Sequence, residues 1–98
     1  MEPKYFAIKL IPNRPSFAQD MTDAERAIMR QHVDYWKTFL ATGEMIIFGP
    51  VLDPAATYGL GIVKVDSEER LQALLSNDPA GKINRYEYHP MLAVTAIR

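Results

Sequence analysis

The chain has 98 residues, of which 48% are hydrophobic, and its formal net charge is −1. This length fits one domain, residues 1–98, and the composition argues against disorder. No basic run is present, which argues against nucleic acid as a partner, and no apolar segment approaches the ~20 residues of a membrane span. The absence of cysteine excludes disulfides, two histidines argue against structural zinc, and without a signal-peptide pattern we expect a cytoplasmic protein.

Residues 4–11, KYFAIKLI, are rich in strand-forming types and are bounded by prolines, so they predict the first strand. Its alternation directs one set of side chains toward a core: Phe6, Ile8 and Leu10. Residues 12–21 contain two prolines and predict a loop. Within this loop, Phe17 is expected to plug the core.

Residues 22–43, TDAERAIMRQHVDYWKTFLATG, predict one long amphipathic helix around which the other elements are arranged. Thr22 and Glu25 form a capping box at its start, and Gly43 is its C-terminal stop. Apolar residues recur three and four positions apart; they are Ala24, Ile28, Tyr35, Trp36, Phe39 and Leu40. His32 is four residues from a member of this set on either side, so it lies on the buried side or at its border.

Two strands are predicted after this helix. Residues 44–49, EMIIFG, are interpreted as a buried strand that ends at Gly49-Pro50, and residues 58–65, YGLGIVKV, as the third strand. Gly59 and Gly61 weaken the third strand locally. A bulge or twist is the favoured explanation, and the close approach of a backbone or a ligand is the alternative.

A second helix is predicted to begin at Asp66 or Ser67, with two acidic residues in its first turn. Its buried stripe consists of Leu71, Leu74 and Leu75, and Asn77-Asp78-Pro79 ends it. The final residues, 83–98, predict an approach strand and a last strand, MLAVTAI. A bend is expected between them at Pro90, because proline has no amide hydrogen to donate to a sheet.

The element order β-α-β-β-α-β predicts an α+β, ferredoxin-like fold with an antiparallel sheet and two helices on one face. In EMIIF and in MLAVTAI, apolar residues occur at both odd and even positions. This pattern indicates that the opposite face of the sheet is buried as well. Two copies packed sheet to sheet would bury it, so we predict a homodimer with a dimeric α/β-barrel core.

His32 is the first candidate for chemistry, because a histidine oriented by a carboxylate can act as a general acid or base. For an isolated histidine, the preferred alternative is a residue at the edge of the core that is bonded to the backbone. Asp78 is the second candidate, although an Asp-Pro pair by default only ends a helix. Its interest depends on a meeting with His32 across the two helices.

Several of these segments together resemble the YCII-related (YciI-like) proteins, which are small dimeric α/β-barrel domains. The resemblance covers nearly the whole chain and rests on the ordered set His…Gly-Glu…Gly-Pro…Asp-Pro. The segments that carry it are the strand YFAIKL, the helical histidine in RQHVDYWKTFLATGEM, Gly49-Pro50, the glycine-bearing strand before VDSEERLQALLSNDP, and the closing strand.

The resemblance implies a His–Asp dyad at a pocket in each protomer, which falls on His32 and Asp78 and reverses the preferences stated above. It implies a small enzyme that needs no cofactor, in which Asp78 orients His32 for proton transfer on a small organic substrate. The reaction would be of the lyase, isomerase or dehydrohalogenase type. The pocket wall would be shaped by Gly49, Pro50 and Gly59. The family often has an aromatic residue after Asp-Pro; this chain has Ala80, which implies a more open pocket.

Two other functions stay open. A non-catalytic ligand-binding or interaction domain would use the His32–Asp78 contact as a structural hydrogen bond. A cofactor-free monooxygenase of the dimeric-barrel kind is less favoured, since it would need an aromatic pocket large enough for a polycyclic substrate. The environment of His32 discriminates between these functions, because an enzyme needs this histidine at a solvent-connected cavity and within reach of Asp78.

Overall fold

The computed structural model describes residues 3–96, which form one antiparallel sheet covered by helices. The strands are β1 (Lys4–Ile11), β2 (Met45–Val51), β3 (Tyr58–Val65) and β4 (Arg85–Met91). The helices are α1 (Phe17–Asp20), α2 (Asp23–Thr42) and α3 (Glu68–Ser76), and a 3-10 turn (Pro79–Lys82) follows α3. The strand order β2-β3-β1-β4, with every pair antiparallel, confirms the predicted ferredoxin-like α+β fold.

Local signals in the sequence set both ends of α2. The Thr22 hydroxyl accepts a hydrogen bond from the amide of Glu25 at 3.1 Å, and the Glu25 carboxylate accepts one from the amide of Thr22 at 2.9 Å. Gly43 ends the helix in the left-handed region at φ 87°, where a side chain would be strained. The predicted capping box and helix stop are therefore confirmed.

The hydrophobic core lies between one face of the sheet and the two longer helices. Its buried side chains are Phe6, Ile8, Met45, Val63, Val65, Trp36, Leu71 and Leu74. Phe6 pairs with Val63 in the register between β1 and β3, so their side chains point to the same face. Since α2 contributes Trp36 and α3 contributes Leu71 and Leu74 to this cluster, both helices cover one face of the sheet, as predicted.

The loop predicted between β1 and the long helix contains one turn of helix, α1, which the prediction missed. Phe17 begins this turn and exposes 4% of its surface, so its predicted role as a plug is confirmed. Arg14 holds the segment in place through Asp20 at 2.8 Å and Glu25 at 2.8 Å. Hydrogen bonds from Arg14 and from the Thr22 amide lower the pKa of Glu25 to about 2.

The predicted last strand, MLAVTAI, is wrong within the described residues. Instead β4 runs straight through Pro90, which is tolerated because β4 lies at an edge of the sheet. Met91 pairs with Tyr5, near the first residue of β1, so the chain beyond it has almost no partner strand left. Leu92 and Val94 are accordingly exposed, at 100% and 98%; Ile97 lies outside the described residues.

The strand β2 also differs from its prediction, since it continues through Pro50 at the other edge of the sheet. Among its apolar side chains only Met45 is buried; Ile46 and Ile47 expose 46% and 64% of their surface. In the single chain β2 is therefore not a buried strand. None of the helices in residues 3–96 combines the length and apolar character that crossing a bilayer requires.

Candidate functional site

Two helices bring the candidate residues together. His32 lies in the middle of α2, and Asp78 follows the C-terminal residue of α3 by two positions. Asp78 also caps the 3-10 turn, because its Oδ1 accepts a hydrogen bond from the amide of Ala80 at 2.9 Å. The turn-forming tendency of Asp-Pro and the contact with His32 are therefore properties of the same side chain.

His32 and Asp78 form a direct contact. The His32 Nδ1 atom lies 2.8 Å from Oδ2 and 3.0 Å from Oδ1 of Asp78. The Asp78 side chain is fully buried, and that of His32 exposes 12% of its surface. The two side chains thus meet across the helices in the structure. This contact was the condition for Asp78 to be a candidate residue.

Three further donors converge on the Asp78 carboxylate. Trp36 Nε1 donates to Oδ2 at 2.8 Å, the Tyr86 hydroxyl donates to the same oxygen, and the Ala80 amide donates to Oδ1. Burial alone would raise the pKa of Asp78, but hydrogen bonds from His32, Tyr86 and Ala80 outweigh it and hold this pKa below its usual value. The carboxylate is therefore ionised at neutral pH although it is buried.

An ionised carboxylate can only accept hydrogen bonds, which assigns the proton of a neutral His32 ring to Nδ1. The lone pair of the imidazole then lies on Nε2. Among the described residues Nε2 has no hydrogen-bond partner, and the His32 side chain is partly exposed. This arrangement is the one required of a general base, with one nitrogen oriented and the other free to take a proton.

His32 forms part of the wall of a cavity with a volume of about 250 Å³. Aromatic and aliphatic side chains from the sheet, the helix α2 and the segment around α1 make up most of the wall. The Phe48 ring stands edge-on to the imidazole, with 6.3 Å between ring centroids. The residues predicted to shape the pocket wall do line this cavity: Gly49, Pro50 and Gly59.

Three residues at this cavity have contacts that the sequence did not predict. Trp36, predicted as part of the apolar face of the long helix, and Tyr86 both line the cavity and bind Asp78. Burial raises the pKa of Tyr86, and the charge of Asp78 and the hydrogen bond to it act in the same direction, so this hydroxyl keeps its proton. Asn84 also lines the cavity, and no local pattern in the sequence distinguishes it.

Ala80, which the resemblance links to the openness of the pocket, is fully buried and is not among the described residues that line the cavity. Its backbone amide donates a hydrogen bond to Asp78, so its position supports the carboxylate. The second histidine, His89, is exposed and pairs with Ala7 on the sheet face opposite the core.

The residues that could bind a metal ion are not grouped in residues 3–96. Within this range, no set of three His, Cys, Asp or Glu side chains lies close enough together to hold one. His32 and Asp78 contact each other, and the remaining donors to Asp78 are an indole, a phenol and an amide. The polar groups of the described site can transfer a proton and form hydrogen bonds.

The fold and this site define a small ferredoxin-like α+β domain with a carboxylate-oriented histidine at an apolar cavity. The sequence model of the YCII-related domain matches residues 6–94. The chain therefore belongs to the YCII-related family, which confirms the resemblance noted in its sequence. No curated protein matches the chain.

Proposed function

We propose that this protein is a small enzyme in which His32 acts as a general base on a small organic substrate. The proposal rests on the position of His32 between the Asp78 carboxylate and the cavity. Its Nδ1 atom is held by a buried, ionised Asp78 at 2.8 Å, and its ring lines a cavity of about 250 Å³. A free nitrogen at a cavity, oriented by a carboxylate behind it, is the arrangement of a proton-transfer site.

In the proposed reaction, Nε2 of His32 removes a proton from a C–H or O–H group of the bound substrate. The imidazole becomes an imidazolium, and its contact with Asp78 becomes an ion pair, which stabilises this charge. Return of the proton to a different atom of the substrate gives an isomerisation. Departure of a leaving group from the neighbouring carbon, with its electron pair, gives an elimination of the lyase or dehydrohalogenase type.

A non-catalytic ligand-binding domain is the second candidate, and the number of hydrogen bonds that the Asp78 carboxylate accepts favours it. Four donors on one buried carboxylate also describe a structural network that fixes a core. The cavity itself would then bind a ligand without chemistry. A monooxygenase that acts on polycyclic substrates fits less well, because about 250 Å³ lies below the ~300–1,000 Å³ typical of pockets for drug-sized molecules.

The test is hydrogen–deuterium exchange at carbon, which detects proton removal before the natural substrate is known. Small ketones and lactones are incubated in D2O with the protein, and deuterium incorporation is followed by NMR. We expect one or more of them to exchange with catalysis, and His32→Gln to slow that exchange about 100-fold or more. His89→Gln is the matched control and should keep the wild-type rate, since His89 is exposed on the other side of the sheet.

The ¹⁵N chemical shifts of the His32 ring separate the two candidate functions further. We expect the neutral ring to carry its proton on Nδ1, and Asp78→Asn to abolish this preference, because an amide can donate as well as accept. A compound that binds in the cavity but exchanges equally fast with wild type and His32→Gln would contradict the enzyme proposal. That result would establish ligand binding as the function.

A further inference from the structure

The cavity composition points to a class of substrate. We infer that the site takes an uncharged, mostly apolar molecule of one or two rings, with a single carbonyl or hydroxyl oxygen held by Asn84. This inference rests on the proposed function, because it concerns the same cavity. It has its own basis in the side chains that line the cavity and in one buried polar atom among them.

The walls exclude a charged substrate. None of the described residues that line the cavity is Asp, Glu, Lys or Arg. The charged group in contact with His32 is the ionised Asp78, which lies 2.8 Å from Nδ1 and is negative. A carboxylate or phosphate in this cavity would lose its hydration without gaining a cationic partner, and such a transfer is strongly unfavourable.

Asn84 supplies a polar atom that the protein leaves without a partner. Its Oδ1 is buried and accepts no hydrogen bond from the described residues. Among the described residues its Nδ2 has only the Met29 sulfur as an acceptor, at 3.6 Å, which is a weak contact. The backbone is nevertheless fixed, because the Asn84 amide donates to the Ala80 carbonyl at 2.9 Å.

A buried amide group without strong hydrogen bonds is unfavourable, and a ligand that supplies them is bound more tightly. Nδ2 of Asn84 can donate to a ligand oxygen in place of the Met29 sulfur, and rotation of the amide would bring its oxygen to this position to accept from a ligand hydroxyl. Met29 and Asn84 both line the cavity, so a ligand oxygen that enters between them replaces a weak sulfur contact with a stronger one. Asn84 is thus assigned as a substrate-positioning residue.

The proposal is tested with three probes that share one ring and differ in one substituent: 4-fluorophenol, 4-fluorobenzoate and 4-fluorotoluene. Binding to the full chain is measured at pH 7 by ¹⁹F NMR of the probe and by the indole resonance of Trp36, the one tryptophan of the sequence, which lines the cavity. We expect 4-fluorophenol to bind more than about tenfold more tightly than 4-fluorobenzoate, since only the latter must bury a charge.

The role of Asn84 is tested with Asn84→Leu, which keeps the size of the side chain but removes its amide. We expect about fivefold weaker binding of 4-fluorophenol and unchanged binding of 4-fluorotoluene, because only the phenol has a hydrogen bond to lose. Asn77→Leu, at the exposed end of α3, is the matched control and should leave both affinities unchanged.

Two results would overturn the inference. Equal affinity of 4-fluorobenzoate and 4-fluorophenol for this cavity would show that the cavity accepts anions. An Asn84→Leu protein that is folded but binds 4-fluorophenol like wild type would remove Asn84 from substrate positioning. Both results leave the exchange assay with His32→Gln unaffected, so failure of this inference is distinguishable from failure of the proposed function.

The part of the chain that the structure describes offers an anionic probe a second place to bind, and the resonances distinguish the two places. A second, more open cleft of about 800 Å³ is lined by Lys82 and Arg85. We expect 4-fluorobenzoate to perturb this cleft and to leave the methyl resonance of Met45 unchanged, because Met45 lines the first cavity and not the second. If the anion perturbs Met45 over the same concentration range as the phenol, the result counts against the inference.

Discussion

At the scale of single residues, Asp78 connects the candidate chemistry to the stability of the fold. It is buried and charged, and such a group is tolerated only when hydrogen bonds replace its hydration. The donors come from different parts of the chain: His32 and Trp36 from α2, Tyr86 from β4, and the Ala80 amide from the turn. A change in any of them should therefore alter the titration of Asp78 as well as the orientation of His32.

Tyr86→Phe tests this connection. The substitution removes one donor from Asp78, so we expect the pKa of Asp78 to rise relative to wild type, as measured by ¹³C NMR titration of its carboxyl group. Tyr35→Phe is the matched control: the Tyr35 hydroxyl donates to the Leu74 carbonyl at 2.5 Å and not to Asp78. It should leave the titration of Asp78 unchanged.

The same variant has a predictable effect on stability in acid. Because the pKa of Asp78 is lower in the folded chain than in the unfolded chain, its stabilisation is complete above the unfolded value of ~3.9 and is lost as pH falls through the folded value. In Tyr86→Phe the two values are closer, so we expect a smaller pH-dependent loss below about pH 5. Urea unfolding between pH 7 and pH 3 measures it, and a loss as large as that of wild type would contradict the role of Tyr86.

At the scale of elements, the sheet explains why glycine occurs at Gly59. A Cβ atom at this position would lie 3.1 Å from the Cβ atom of Leu10 on the neighbouring strand β1. The Leu10 Cβ is attached directly to the backbone, so it cannot move away without shifting the strand. The glycine therefore permits the Leu10 side chain of β1 to approach closely. This role is more similar to the predicted alternative, the close approach of a backbone or a ligand, than to the favoured bulge or twist.

Gly59→Ala should accordingly destabilise the protein by about 1–3 kcal/mol, because the added methyl group must push β1 away from β3. Gly49→Ala is a matched control in the next strand, β2, where a Cβ atom has nothing within 4 Å. We expect Gly49→Ala to leave stability unchanged or to raise it slightly, since alanine restricts the unfolded chain. Urea unfolding of both variants provides the comparison, and equal stability of the two would refute the steric explanation.

The elements show which features the sequence could predict. The capping box at Thr22 and the stop at Gly43 involve residues a few positions apart, so local rules predicted both ends of α2. The end of β4 depends on pairing with β1, because β1 offers almost no partner beyond the pair of Tyr5 with Met91. The apolar residues of MLAVTAI do not indicate where its pairing with β1 ends. The predicted last strand was wrong for this reason.

The candidate site shows the same division between local and long-range information. His32 was identifiable from its position on the helix, and Asp78 became prominent only through the family resemblance. Trp36 and Tyr86 bind Asp78 across 42 and 8 positions of the chain, and both contacts require the completed sheet and helices. The unpartnered oxygen of Asn84 is a property of packing alone, and so it has no counterpart in a sequence pattern.

At the scale of the whole molecule, the sheet face opposite the helices exposes apolar side chains in the single chain. Ile47 exposes 64% of its surface and pairs with Ile62, while Leu60 and Met91 on the same face expose 40% and 41%. Exposed apolar side chains that share one face of a sheet indicate an interface. The arrangement is consistent with the predicted homodimer, in which a second copy would cover this face.

Ile47→Lys tests the homodimer. Two such faces packed together would bring a lysine from each copy into an apolar interface, so we expect the variant to sediment as a monomer at a concentration where wild type sediments as a dimer. Thr38→Lys adds the same charge on an exposed position of α2 and should keep the wild-type behaviour. A wild-type chain that is monomeric at high concentration would refute the predicted homodimer. A dimer that persists in Ile47→Lys would place the contact on a different surface.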